Sequence, residues 1–160
     1  MNKIQLEGLI LVFITPPGMT LSESYTNFNN VFIKDIPLLI VDFKLLLEKI
    51  MQLDKKVRFS VISDMYANII LTRHRDGLEN FLTEKETKEA LQYAVDAWRI
   101  RHKHEEKLGK GKFALVEYET IKRISLPIGK DRLLLITIDN SSDGFEIVEK
   151  VLNEIKFPKS

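Results

Sequence analysis

Apolar and polar positions alternate in two different rhythms along this chain, and the switch between them marks the elements. Ile4 to Ile14 is an apolar run broken by Gln5, Glu7 and Gly8, and it is stopped by Thr15-Pro16-Pro17-Gly18. Leu9–Ile14 is expected to be a peripheral strand or arm, with the proline pair as its end. Residues 18–35 are polar and rich in Asn, Ser and Thr, the composition of a linker. From Pro37, a residue suited to a first helical turn, the spacing becomes three and four. Phe43, Leu46, Leu47, Ile50 and Leu53 then predict a core-facing helix to about Leu53. Val57, Phe59 and Val61 alternate with Arg58 and Ser60, the period of a half-buried strand. A turn near Asp64-Met65 leads to a second strand, with Ala67, Ile69 and Leu71 on one face, and Arg75-Asp76-Gly77 closes it.

Thr83-Glu84-Lys85-Glu86 has the spacing of a capping box. The helix it opens carries Leu91, Ala94, Val95 and Trp98 as an apolar stripe and runs to about Leu108, where Gly109 and Gly111 stop it. Three strands follow at Phe113–Tyr118, Ile121–Leu126 and Leu133–Asp139, with Pro127-Ile128-Gly129-Lys130-Asp131 turning the last pair. Leu133-Leu134-Leu135-Ile136-Thr137-Ile138 is apolar on both faces, as a central, covered strand must be. Ser141-Ser142-Asp143 caps a last helix with Phe145, Val148, Val151, Leu152 and Ile155 on one side.

The expected order is α-β-β-α-β-β-β-α: an α+β domain with a five-stranded antiparallel sheet and helices on both faces. An arm and linker over 1–35 and a domain over 36–160 are the expected organisation. This order resembles the roadblock fold, whose relatives include longin and profilin-like domains. Several stretches also look like an uncharacterised archaeal family of short proteins: Leu53-Asp54-x-x-Val57-Arg58-Phe59, Arg75-Asp76-Gly77, Trp98-x-x-Arg101 and Leu108-Gly109 through Tyr118-Glu119 to Ile121-Lys122-Arg123-Ile124. That family implies no activity. The roadblock resemblance implies a homodimer joined through the middle helix and the neighbouring edge strand, here Phe113–Tyr118, with Phe113, Leu115 and Tyr118 as the dimer edge. It further implies a small GTPase or other signalling protein as partner.

Composition narrows the chemistry. The 160 residues are 44% hydrophobic and 29% charged, enough to bury a core and too apolar for a disordered chain. Lys and Arg number 24 against 23 Asp and Glu, so no overall charge points to nucleic acid or anionic lipid. Cysteine is absent, which removes disulfides, thiolate metal sites and thiol catalysis, and fits a cytoplasmic setting. The first apolar run is too short to span a bilayer, and no small-x-small site makes it a signal peptide. No membrane association is expected.

His102-Lys103-His104-Glu105 is no metal motif, because residues two apart on a helix point about 200° apart. Gly109-Lys110-Gly111-Lys112 follows a helix, whereas a phosphate loop follows a strand and opens one. No Gly-x-Ser-x-Gly elbow occurs. The expectation is a protein without enzymatic activity, catalytic residues, metal or cofactor.

Charge supplies the sharpest local feature. Residues 99–112 hold six Lys/Arg and two Glu. Arg99, Arg101, Lys103, Lys110 and Lys112, with Arg73 and Arg75 from the second strand, are the candidate partner-binding residues. Three readings remain open: a solvated helix end favoured by the macrodipole, a surface for an acidic protein, and weak nucleic-acid binding. A small-molecule sensor is a further alternative, needing a cavity lined by residues such as Phe59, Tyr66 and Trp98. The leading expectation is a dimerising interaction and regulatory module.

Overall fold

A computed structural model describes residues 2–6, 9–13 and 39–156. The chain divides into two compact units, Met1–Phe43 and Lys44–Ser160. In the first, β1 (Asn2–Leu6), β2 (Leu9–Phe13) and β3 (Leu39–Asp42) form an antiparallel sheet in the order β1-β2-β3. The expected strand at Leu9 is present. The proline stop and the expected linker lie outside the described residues. Helix does not begin near Pro37: Ile40 and Val41 are β-branched and pair with Leu11 and Ile10 as strand, and α1 (Phe43–Leu53) starts only after them.

The second unit holds β4 (Val57–Asp64), β5 (Ile69–His74), α2 (Glu84–Lys103), the single-turn α3 (Glu105–Leu108), β6 (Ala114–Glu117), β7 (Ile121–Ile128), β8 (Arg132–Asp139) and α4 (Gly144–Lys156). The five strands run β5-β4-β8-β7-β6, every pair antiparallel. β8 lies at the centre, and Leu133 to Ile138 are all buried, as a strand covered on both faces requires.

Each face has its own helices. Val61, Leu135, Ser125 and Ala114 pair in register across β4, β8, β7 and β6. Leu91, Val95 and Trp98 of α2 pack over that row, and the Trp98 indole N–H donates to Ser125 Oγ at 2.9 Å. On the opposite face Ile62, Ile124, Leu134 and Ile136 are buried. There Ser60 Oγ lies 3.5 Å from Met51 of α1, and Lys49 of α1 pairs with Glu154 of α4 at 3.1 Å.

Local chemistry sets the element ends. Thr83 and Glu86 form the reciprocal capping box at the start of α2. The helix stops at His104 rather than Leu108; α3 adds one turn, and Gly109 ends it at φ +79°. Gly111 is needed for a different reason: a Cβ there would lie 2.7 Å from Trp98 Cζ3. Asp143 caps α4 by accepting from the Phe145 and Glu146 amides at 2.9 and 3.2 Å.

The β4–β5 turn has no Asn-Gly pair because Asp64 organises it. The Asp64 carboxylate accepts from the Tyr66 and Asn68 amides and the Asn68 side chain, all at 2.8–2.9 Å. Ala67 takes a left-handed conformation, φ +61°, so it sits in the turn, and β5 starts at Ile69. Phe145 also departs from expectation. It is exposed, and Ile147 takes the buried place beside Val148 and Val151.

Candidate functional site

The surface around β6 is the strongest candidate for an interface, and it is built by two elements. β6 is the last strand of its sheet, so one row of its backbone groups has no strand partner among the described residues. α2 lies beside it on one face. Helical geometry places Arg99 on one flank of the Leu91-Val95-Trp98 stripe, Ala90, Ala94 and Arg101 on the other, and Tyr93 and Ile100 about 180° from the stripe. Arg99 reaches toward the β4–β5 turn, donating to the Met65 carbonyl and lying 5.2 Å from the Tyr66 ring centre. The flank with Ala90, Ala94 and Arg101 therefore looks toward the β7–β6 side, and Tyr93 and Ile100 face away from the sheet. Tyr93 is 77% exposed, Ile100 56%, Val116 of β6 49% and Tyr118 just beyond it 48%. Val116 and Tyr118 thus border one open strand edge.

The three expected edge residues divide. Tyr118 belongs to this border, with the Arg123 guanidinium 5.9 Å from its ring centre. Phe113 and Leu115 face α4 and are half-buried. Phe113 meets Phe145 edge-on with ring centres 6.2 Å apart. Leu115 closes over Gly144, where a Cβ would come within 3.0 Å of it. Val116 was missed by sequence reasoning; its place two residues before Tyr118, on the same face of the strand, was the signal available.

The seven basic candidates fall in two places. Arg73 shares the face of Ser60, under α1, and lies 3.5 Å from Glu48. Arg75 is built into the fold: Nε donates to the Val57 carbonyl at 2.6 Å, and an Nη group donates to the carbonyls of Met51 and Asp54, the latter at 3.1 Å. It therefore closes the C-terminal end of α1. The other five lie at the far end of α2 and in the loop after it. Arg99 pairs with Asp96 at 3.4 Å, and the Arg101 guanidinium sits 5.1 Å from the Trp98 ring centre. Lys103, Lys110 and Lys112 are exposed and form no ion pair among the described residues.

His102 and His104 do not form a metal site. His102 Nδ1 lies 2.5 Å from Glu105, and among the described residues no three His, Asp or Glu side chains group to hold a metal ion. The cavity expected for a sensor is not formed by Phe59, Tyr66 and Trp98. Tyr66 is exposed on the surface, and Trp98 is sealed in the core. Phe59 does border a cavity of about 50 Å³, under the segment Leu78–Leu82. No helix among the described residues is long and apolar enough to cross a membrane.

A five-stranded antiparallel sheet with two helices on one face and one on the other defines the roadblock fold for this domain. Solved structures bear this out. A roadblock/LC7 domain from Streptomyces avermitilis superposes with a TM-score of 0.54, at 9% identity, covering 70% of this chain and 92% of that one. The gliding protein MglB from Thermus thermophilus gives 0.53 at 10% identity over 71% and 87%. An MglB structure with a tetrameric arrangement gives 0.54 at 10% over the same shares. No family model matches the sequence, and no curated protein matches it. The archaeal resemblance of the Leu53-to-Ile124 stretches thus rests on those residues alone.

Proposed function

We propose that this chain is a non-enzymatic regulatory module of the cytoplasm that forms a homodimer through β6 and α2 and binds a small GTPase or another signalling protein. One observation carries the reading: the open β6 edge has the exposed Val116 and Tyr118 beside it, on the face that α2 covers. A two-fold partner would pair the β6 edges and bury those side chains in a single step. The tetrameric arrangement of a structural neighbour supports self-association. The basic C-terminal turn of α2 and the loop after it, with Arg101, Lys103, Lys110 and Lys112, offer charge to an acidic partner surface.

Light scattering of the purified protein at moderate salt tests the dimer. A mass of twice 18.6 kDa is expected, falling to the monomer value in Val116→Asp, which charges the edge without touching the core. A wild-type monomer at micromolar concentration refutes the dimer. Partner binding is tested by charge reversal at Arg101 and Lys103, which should weaken capture of a small GTPase and leave the mass unchanged.

A further inference from the structure

Arg123 is the one half-buried arginine whose charge nothing in the described part of the fold answers. Arg58 pairs with Asp139 at 2.8 Å and Arg132 with Asp131 at 3.0 Å, while Arg75 is held by three carbonyls. Arg123 has no carboxylate within ion-pair distance among the described residues, and its Nε is buried with no hydrogen-bond partner. Its single aromatic neighbour is the Tyr118 ring. A buried N–H left in this state is costly, and an anion accepting from it would offset the cost.

The sheet places that arginine at a cavity. Arg123, Thr137, Phe59 and His74 are register partners in one row across β7, β8, β4 and β5. Residues Leu78–Leu82 cross above the row and are tied down on both sides. Arg58 donates to the Glu79 carbonyl at 3.2 Å and stands 4.5 Å from the Phe81 ring centre. His74 and Asn80 are hydrogen-bonded at 3.2 Å. The pocket they form is about 50 Å³ and partly open to solvent, room for about four water-sized groups.

We propose that this cavity binds a small monocarboxylate, with Arg123 as its cation. Four heavy atoms are the size of acetate, so a short chain fills the pocket. Phe59, Ile121 and Leu135 give an apolar wall for the alkyl end. The guanidinium fork suits the carboxylate, and Thr137, in register beside it, brings a hydroxyl donor. Glu79 also borders the cavity and sets a negative charge against any dianion, which favours a carboxylate over phosphate.

The test is a titration of the isotope-labelled full chain with sodium acetate into the tens of millimolar, followed by amide NMR shifts, with ionic strength held by chloride. Saturable shifts are expected at Ile121–Ile124 and Leu78–Leu82. Arg123→Gln should weaken acetate about tenfold or more. Thr137→Val, nearly isosteric, should weaken it several-fold, and it carries the test if Arg123→Gln does not fold. Non-saturating shifts, or the same acetate curve in a folded variant as in the wild type, overturn the site. Tighter binding of inorganic phosphate than of acetate overturns the choice of ligand.

Discussion

Replacing Gly111 by alanine should destabilise the domain, although a glycine-to-alanine change in a loop ordinarily stabilises by about 0.4–1 kcal/mol through the unfolded chain. The added Cβ would stand 2.7 Å from Trp98 Cζ3 and 3.3 Å from Cη2. Trp98 cannot retreat, because it is 1% exposed and its indole N–H is engaged by Ser125 at 2.9 Å. Overpacking of this kind costs about 1–3 kcal/mol. Subtracting the chain-entropy gain, midpoint from midpoint, leaves a net loss of about 1.3 kcal/mol. Denaturant unfolding at equilibrium measures it as a lower midpoint at constant slope. The cause is separable from backbone strain. Gly77, at φ +75° with nothing within 4 Å of where a Cβ would stand, should lose about 1 kcal/mol on change to alanine through conformation alone. Trp98→Phe removes the ring atoms that clash, so the Gly111→Ala penalty should shrink in that background and not the Gly77→Ala penalty. A Gly111→Ala protein as stable as the wild type, or an undiminished penalty beside Phe, refutes the close approach.

Three further outcomes follow from the contacts described. Arg75→Lys should cost about 2–3 kcal/mol in unfolding free energy, because an ammonium cannot reach the carbonyls of Met51, Asp54 and Val57 as the fork does; an unfolding midpoint equal to the wild type's would remove its role at the end of α1. Thr83→Ala breaks the capping box and should cost about 1 kcal/mol, read by thermal or chemical unfolding. Burial acts to raise the Asp64 carboxyl, but hydrogen bonds from Asn68 and Tyr66, with Arg132 nearby, outweigh it and hold the group below its ordinary value of 3.8. Its contribution is therefore complete above that value and lost as pH falls through the lower folded one. Asp64→Ala should flatten that part of the acid stability profile, and an unchanged profile would show the turn does not depend on the ionised carboxylate.

What was legible in the sequence is what local chemistry decides. The capping box at Thr83, the Leu91-Val95-Trp98 stripe and the two-sided apolar run of β8 need no distant partner to be recognised, and all three stand as expected. The start of α1 was misplaced because Ile40 and Val41 find strand partners in β2, far earlier in the chain. Phe113 and Leu115 share the strand rhythm of Val116, and only the arrival of Gly144 and Phe145 from α4 decides which of them turn inward.

Charge separates the two levels most sharply. A sequence displays cations by density, and density singled out residues 99–112, where exposed lysines are hydrated at little cost. A fold distinguishes cations by what answers them. Arg75 belonged to the same basic group and is used up closing a helix. Arg123 drew no notice, because Lys122-Arg123 in a strand is an ordinary polar pair. Yet Lys122 donates to the Ser142 carbonyl at 2.7 Å and stands 3.8 Å from Glu117, while its neighbour turns to the other face and meets no anion among the described residues. The alternation of the strand sends two adjacent cations to opposite environments, and only one of them is satisfied by the protein itself. The density of a basic run therefore measures how readily it can meet an acidic surface, whereas an unanswered donor at a pocket in the fold points to the sign of a ligand.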